Sequence, residues 1–179
     1  MNITEFFQQS AGKWVSQRTS HHPAFKQPEG GKSDFYIEAL SSDDPAVVQL
    51  CQEHGVDAAL AVGGVRTRWD GVMEQNKGKR VGTALLVAIA DSADSTGANQ
   101  GKLLRPKTEA GQTVVGRYVM GADDALTLIA ESETLYAEER LWFASPNLRL
   151  RTSTIKQAGG FSTASFCSEI RMGGSPPAQ

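Results

Sequence analysis

The sequence predicts an all-β fold: eight to ten short antiparallel strands with one or two α-helices, arranged as a sandwich or an up-and-down barrel. Two observations predict it. Beyond residue 60 the chain falls into runs with apolar residues at every second position, the period of a strand with one buried face. These runs are joined by turn-forming stretches such as "QNKGK", "GADD", "SPN" and "QAGG", short enough for hairpins.

The elements follow in order. Residues 2–11 place Ile3, Phe6, Phe7 and Ala11 at helical spacing, with Asn2 or Thr4 able to cap, and Gly12 stops that helix. "KWVSQRTSHH" continues extended, and "DFYIEAL" (34–40) puts Phe35, Ile37 and Ala39 on one face of a strand. "SSDDPAVVQLCQEHG" is the clearest helix: Asp43 or Asp44 caps it, Pro45 suits its first turn and Gly55 ends it. Val47, Val48, Leu50 and Cys51 form its apolar stripe. Strands are then expected at 65–74, 80–90, 101–105, 113–120, 125–134, 138–144, 148–157 and 161–171. The longest polar loop is 91–100, and no internal repeat is present.

Composition bounds the function. With 179 residues, 40% of them hydrophobic and 21% charged, the chain reads as one soluble globular domain over 1–172 with a disordered tail at 173–179. A net charge of −2 argues against a general nucleic-acid binder, which needs surplus basic groups. No run of 18 apolar residues offers a membrane span, and "MNITEFFQQS" lacks the basic start and apolar core of a signal peptide. Two cysteines make no disulfide framework, so a cytoplasmic location is expected. Three histidines, two of them adjacent, fit no metal spacing, and no resident metal or cofactor is expected.

Gly12-Lys13-Trp14 favours the barrel over the sandwich. It lies between the first helix and the first strand, and it resembles the Gly-x-Trp pattern of lipocalins and fatty-acid-binding proteins. That resemblance implies a barrel with Trp14 plugging one end and Arg171, from the last strand, packed across the indole as a cation–π partner. A barrel of this width encloses one small ligand.

The candidate chemistry sits on strand faces. In "SPNLRLRTSTIK", Asn147, Arg149, Arg151 and Ser153 fall on one side and Leu148 and Leu150 on the other, at the spacing of about 7 Å that period 2 imposes. This is either a solvated face with the leucines inward or a row of donors aimed at an anion. Glu139 alternates with Leu141 and Phe143, and Glu169 with Cys167 and Arg171. A carboxylate on such a face is costly to bury unless it is paired. Arg18 lies beside His21 and His22 at a strand end, by default a polar terminus. Trp69 shares a face with Thr67 and Met73, by default a core position. Cys51 and Cys167 read as packing. Neither a nucleophile elbow nor a phosphate loop nor a dinucleotide fingerprint occurs, so any covalent chemistry would draw its nucleophile from another molecule.

Longer blocks carry a specific resemblance. "EFFQQSAGKWVSQRTSHHPAFKQPEGGKS", "DDPAVVQLCQEHGVDAALAVGGVRTRWDGVME", "ERLWFASPNLRLRTSTIK" and "GGFSTASFCSEIRM" resemble the S-type phycobiliprotein lyases, the CpcS/CpeS/CpcU group, over nearly all of 1–172. The resemblance implies a ten-stranded barrel around a cavity. It also implies binding of an open-chain tetrapyrrole, phycocyanobilin or a related bilin, as substrate. The bilin would be attached through a thioether to a cysteine of a phycobiliprotein subunit of phycocyanin, allophycocyanin or phycoerythrin type. A homodimer, or a heterodimer with a paralogue, is implied as well. On this reading Arg149 and Arg151 bind the two propionates, because a guanidinium fork bonds a carboxylate bidentately. Neither arginine is then needed for stability. Glu139 and Glu169 serve the pyrrole nitrogens, and a nearby carboxylate favours the protonated tetrapyrrole. Trp69, Met73 and Trp142 supply apolar surface, Ser153 a further donor, Arg18 an anion contact, and His21 or His22 a general acid at the mouth. The alternatives are a non-catalytic carrier and a supporting subunit of a heterodimeric lyase.

Overall fold

The computed structural model describes residues 1–21, 28–73, 79–91, 99–107, 115–160 and 162–173. Helix α1 (Ile3–Ser10) leads into β1 (Gly12–His21) and β2 (Glu29–Leu40). Helix α2 (Pro45–Glu53) and a short 3-10 turn precede β3 (Ala61–Met73). There follow β4 (Lys79–Ala90), β5 (Gln100–Leu104), β6 (Val115–Met120), β7 (Leu126–Glu131), β8 (Leu135–Ser145), β9 (Leu148–Gln157) and β10 (Ser162–Met172). Each strand pairs antiparallel with its sequence neighbour, and β1 closes on β10, so the ten strands form a closed barrel and not a sandwich. Closure removes the free strand edges that a sandwich would leave.

The two helices do different jobs. Helix α1 is set by a capping box between Asn2 and Glu5. It drives Ile3, Phe6 and Phe7 into the barrel interior beside Trp14, Leu126 and Leu141, and so closes one end. Helix α2, capped by Asp44 with Pro45 in its first turn, lies on the outside. Its Val47, Leu50 and Cys51 pack on Val87, Ile89 and Leu104, and burial raises the Cys51 thiol above its ordinary pKa, as inert packing requires. Gly64 permits the close approach, since a Cβ there would stand 3.2 Å from Val47 Cγ2 and 2.8 Å from the Leu86 carbonyl oxygen.

Two strands begin at least four residues earlier than the alternation predicts. β2 begins at Glu29, not 34, and β3 at Ala61, not 65. Both extensions contain Gly-Gly, which reads as a turn; here Gly31 lines a cavity and Gly63 sits at a bulge with φ +139°. No helix among the described residues is long and apolar enough to cross a membrane. The tail at 174–179 and His22 lie outside the described residues.

Candidate functional site: an arginine-lined cavity inside the barrel

Pairing register stacks the inward residues in layers. Across β2, β1, β10, β9 and β8 the first layer is Phe35, Trp14 and Arg171. The second is Ser33, Ser16, Glu169, Arg149 and Phe143; the third is Gly31, Arg18, Cys167, Arg151 and Leu141. The row of donors on β9 therefore faces inward, and Leu148 and Leu150 face out. The solvated-face reading of this strand is excluded.

The first layer is a plug. The Trp14 indole is fully buried and donates through Nε1 to the Ser10 carbonyl at 2.8 Å. Arg171 lies over the ring at 4.2 Å from guanidinium carbon to centroid, the contact that the Gly-x-Trp resemblance implies. It also donates to the carbonyls of Gln9 and Ala11, which satisfies acceptors at the end of α1. A second guanidinium, Arg149, stands 5.2 Å from the same ring.

The second layer is an ion-pair network. Glu169 is completely buried; its Oε2 accepts from Arg149 Nε at 2.6 Å, and its Oε1 lies 3.2 Å from Arg151 Nη2. The latter contact is an ion pair without hydrogen-bond alignment, so Oε1 accepts no hydrogen bond. Burial pushes the Glu169 carboxyl up, but Arg149 and Arg151 outweigh it, and the pKa lies below the ordinary carboxylate value. Burial acts on Arg151 too, yet Glu169 and then Glu139 raise its pKa further. Glu169 is thus a carboxylate committed to two arginines, and it lines neither cavity.

Among the described residues two cavities in the interior can be traced. The outer one, of about 310 Å³, is bounded by Ser16, Arg18, Ser33, Phe35, Trp69, Arg80 and Arg151, with Gly31 and Gly71 leaving room on its wall. Its volume falls at the lower end of the range of about 300–1,000 Å³ for small-molecule sites. The inner one, about 90 Å³, lies under α1 among Phe6, Phe7, Leu126 and Leu128, with Ser10, Thr67, Glu139, Arg149 and Arg151 as polar members. Phe35, with Arg151 stacked 5.5 Å from its ring, walls both.

Arg18 and Arg151 converge at this site. Arg18 Nε is 3.5 Å and Arg151 Nη2 is 3.8 Å from the buried sulfur of Cys167. Among the described residues Arg18 has no carboxylate partner, and Arg151 Nε is buried without an acceptor. The interior therefore carries more guanidinium than carboxylate, with donor capacity to spare for an anion. Trp69 stacks on Phe35 at 6.2 Å and 28°, and it lies flat over Gly82, where a Cβ would come within 2.2 Å of the indole.

The expected residues separate accordingly. Arg18, Trp69 and Arg151 line the outer cavity, and Glu139 lines the inner one, 3.9 Å from Arg151. Arg149 is 5% exposed, donates through Nε to Glu169 beside the Trp14 ring, and lines only the inner cavity. Ser153 is bonded to Ser165 at 2.6 Å and lines neither cavity. Trp142 pairs with Leu150 on the outer face, one residue out of phase with buried Leu141, and supplies no cavity wall. His21 is exposed and opposite Ala164, also on the outer face, which removes it as a general acid inside the barrel. The backbone of Met73 pairs with Gly31, and its side chain lies outside the described residues. Phe35, Ser16, Ser33, Gly31 and Arg80 were not foreseen as cavity residues. Phe35 alone gave a signal, its shared face with Ile37.

Comparison with known proteins agrees with this architecture. The model of the CpeS-like protein family matches residues 2–172. The chain is 59% identical to the chromophore lyase CpcS/CpeS of Thermosynechococcus vestitus, over 99% of this chain and 97% of that one. It is 45% identical to the phycocyanobilin lyase subunit CpcS of a Picosynechococcus strain, over 96% and 87%. The structure of the S-type phycobiliprotein lyase CpeS from Guillardia theta superposes with a TM-score of 0.83 at 32% identity, covering 98% of this chain and 95% of that one. The chain belongs to the CpeS-like family.

Proposed function

We propose that this protein is a bilin lyase. It holds an open-chain tetrapyrrole non-covalently inside the barrel and promotes thioether formation with a cysteine of a phycobiliprotein subunit. The observation that carries the reading is the convergence of Arg18 and Arg151 beside the Phe35–Trp69 stack in one cavity. A bilin carries two propionates on a flat conjugated body, and this wall offers guanidinium forks and aromatic faces together. The names of the relatives point to the same chemistry.

The chain's contribution is positional. The acceptor protein brings the thiol, which adds as thiolate to the exocyclic carbon of the ring-A ethylidene. A carbon–sulfur bond forms, a proton goes to the adjacent ring carbon, and nothing leaves. Arg18 and Arg151 fix the propionates, the aromatic stack fixes the plane, and Glu139 accepts from pyrrole N–H groups. Holding the reacting carbon in one orientation supplies most of the acceleration. Glu169 acts at one remove, by holding Arg151. Phycocyanobilin is the bilin we assign, the cytoplasm the compartment, and a second copy or a paralogue the companion subunit.

Co-expression with a bilin source and candidate phycobiliprotein subunits tests the reading. A denaturing gel with zinc-enhanced fluorescence is expected to show bilin fixed to the acceptor. Bilin bound to this chain with none transferred, alone or with a paralogue, makes it a carrier. Transfer only with a paralogue makes it a subunit, as the name of the Picosynechococcus relative describes that protein.

A further inference from the structure

We propose that the inner cavity is a pocket for the terminal D ring of the tetrapyrrole, so that the ligand enters D ring first and leaves ring A at the mouth. This rests on the bilin reading above.

The two cavities share Phe35 and Arg151, which form a collar between them. The propionates of an open-chain tetrapyrrole sit on its central rings B and C, so Arg151 at the collar, with Arg18 beside it in the outer cavity, marks the middle of the ligand. One terminal ring must then lie on each side. The inner side is covered by α1, which is tied there by Trp14 Nε1 on the Ser10 carbonyl and by Arg171 on the carbonyls of Gln9 and Ala11. The ring that meets another protein's thiolate cannot be buried there. Ring A therefore stays outside, and ring D goes in.

The inner cavity suits a terminal ring chemically. Its walls are largely apolar, and ring D is a lactam that carries one carbonyl and one N–H on an alkyl-substituted body. Ser10 is 3% exposed, lines this cavity, and its hydroxyl has no hydrogen-bond partner among the described residues. An unpaired hydroxyl in such a place is rare, and a lactam carbonyl would satisfy it. Glu139, on the same cavity, accepts the lactam N–H. Phe6, Leu86 and Leu128 then bear on the ring substituents and select among bilins that differ there.

The test uses three probes on the whole protein: phycocyanobilin, a tripyrrole of rings A–C and a tripyrrole of rings B–D. Ser10→Ala removes the hydroxyl but keeps the backbone carbonyl that Trp14 uses, and Val65→Phe fills the cavity. Ser10→Ala is expected to weaken phycocyanobilin and the B–D tripyrrole by about three- to tenfold, the worth of one hydrogen bond. Val65→Phe is expected to weaken both more. Neither variant should change binding of the A–C tripyrrole by more than roughly twofold. If Val65→Phe fails to fold, Ser10→Ala decides alone. Weakening of the A–C tripyrrole, or no effect on any probe, overturns the orientation. Failure of the unmodified protein to bind phycocyanobilin overturns instead the bilin reading beneath it.

Discussion

Arg149 and Arg151 stand two residues apart on the same face of β9, yet they belong to two regions with opposite character. Arg149 is at the plugged end, where its Nε donates to buried Glu169, its guanidinium stands beside the Trp14 ring, and it borders the inner cavity only. Arg151 is one layer nearer the mouth, where it walls two cavities and keeps a buried N–H without an acceptor. The difference arises across the strands. Opposite Arg149 the register brings a carboxylate; opposite Arg151 it brings a cysteine, and beyond that Arg18 and Gly31. A guanidinium is a structural element or a ligand receptor according to what its neighbours leave unsatisfied.

The largest effect expected from this contrast is on stability. Arg149→Ala strands Glu169 beside a single misaligned arginine, and breaking a buried pair in this way costs about 3–5 kcal/mol. Arg149→Ala is therefore expected to lower the denaturation midpoint strongly, and bilin binding only as far as the fold is lost. A variant as stable as the unmodified chain would break the contrast. The same network sets an acid limb. Because the folded pKa of Glu169 lies below its ordinary 4.5, the unfolded chain binds more protons in that interval, and stability rises with pH there. The contribution is complete above the unfolded value and is lost as pH falls from about 4.5 through the folded value. Denaturation midpoints measured from pH 6 to pH 3 should fall, and Glu169→Gln should flatten that part of the curve.

Arg151→Ala comes next, and here the expected loss is mainly in binding. A charge-assisted contact in a partly buried site is worth about 1.5–3 kcal/mol, or roughly ten- to a hundredfold in affinity. Arg151→Lys should recover only part of it, since an ammonium cannot reproduce the bidentate fork. Titration of phycocyanobilin by its absorbance change reads this directly. Equal affinity in the alanine variant would sink the assignment of Arg151 as the open member of the pair.

Gly82→Ala sharpens the contrast from the wall of the cavity. The added Cβ would meet the Trp69 indole at 2.2 Å, a clash that only a shift of the ring can relieve. Overpacking of this kind costs about 1–3 kcal/mol, and the displaced ring leaves its stack on Phe35. Trp69 fluorescence and the bound-bilin spectrum are expected to change together, whereas the plug around Trp14 stays intact. An unchanged spectrum would mean that the ligand does not lie on Trp69.

Much of this was legible in the residues. Period-2 alternation located most of the strands, and Gly12-Lys13-Trp14 pointed to closure around a plug. Acids alternating with apolar residues singled out Glu139 and Glu169. What sequence could not supply was the register that sets Arg149 against Glu169 and Arg151 against Cys167, because hairpin lengths fix it across strands far apart in the chain. Gly31, Ser16 and Ser33 carry no chemical signal; they matter by leaving space. The misplacements of Trp142 and His21 are different in kind. Trp142 lies an odd number of residues from Glu139, and His21 an odd number from Arg18, so strand parity already puts each pair on opposite faces.

That parity gives the smallest expected effect. If His21 donated a proton to the bound tetrapyrrole, His21→Ala would slow transfer without weakening binding. His21 is exposed, pairs with exposed Ala164 and lines neither cavity. Its replacement falls among surface substitutions, which change free energies by within about 0.5 kcal/mol, or roughly twofold in a rate or affinity. The initial rate of bilin transfer, measured from pH 6 to pH 8, should have the same profile in His21→Ala as in the unmodified chain. Arg18→Ala, three residues back and facing inward, should lower binding at every pH in that interval, because a guanidinium does not titrate there. Loss of transfer in His21→Ala with binding intact would show that the mouth holds an acid which the barrel wall does not, and the division into closed plug and open cavity would need a third region at the rim.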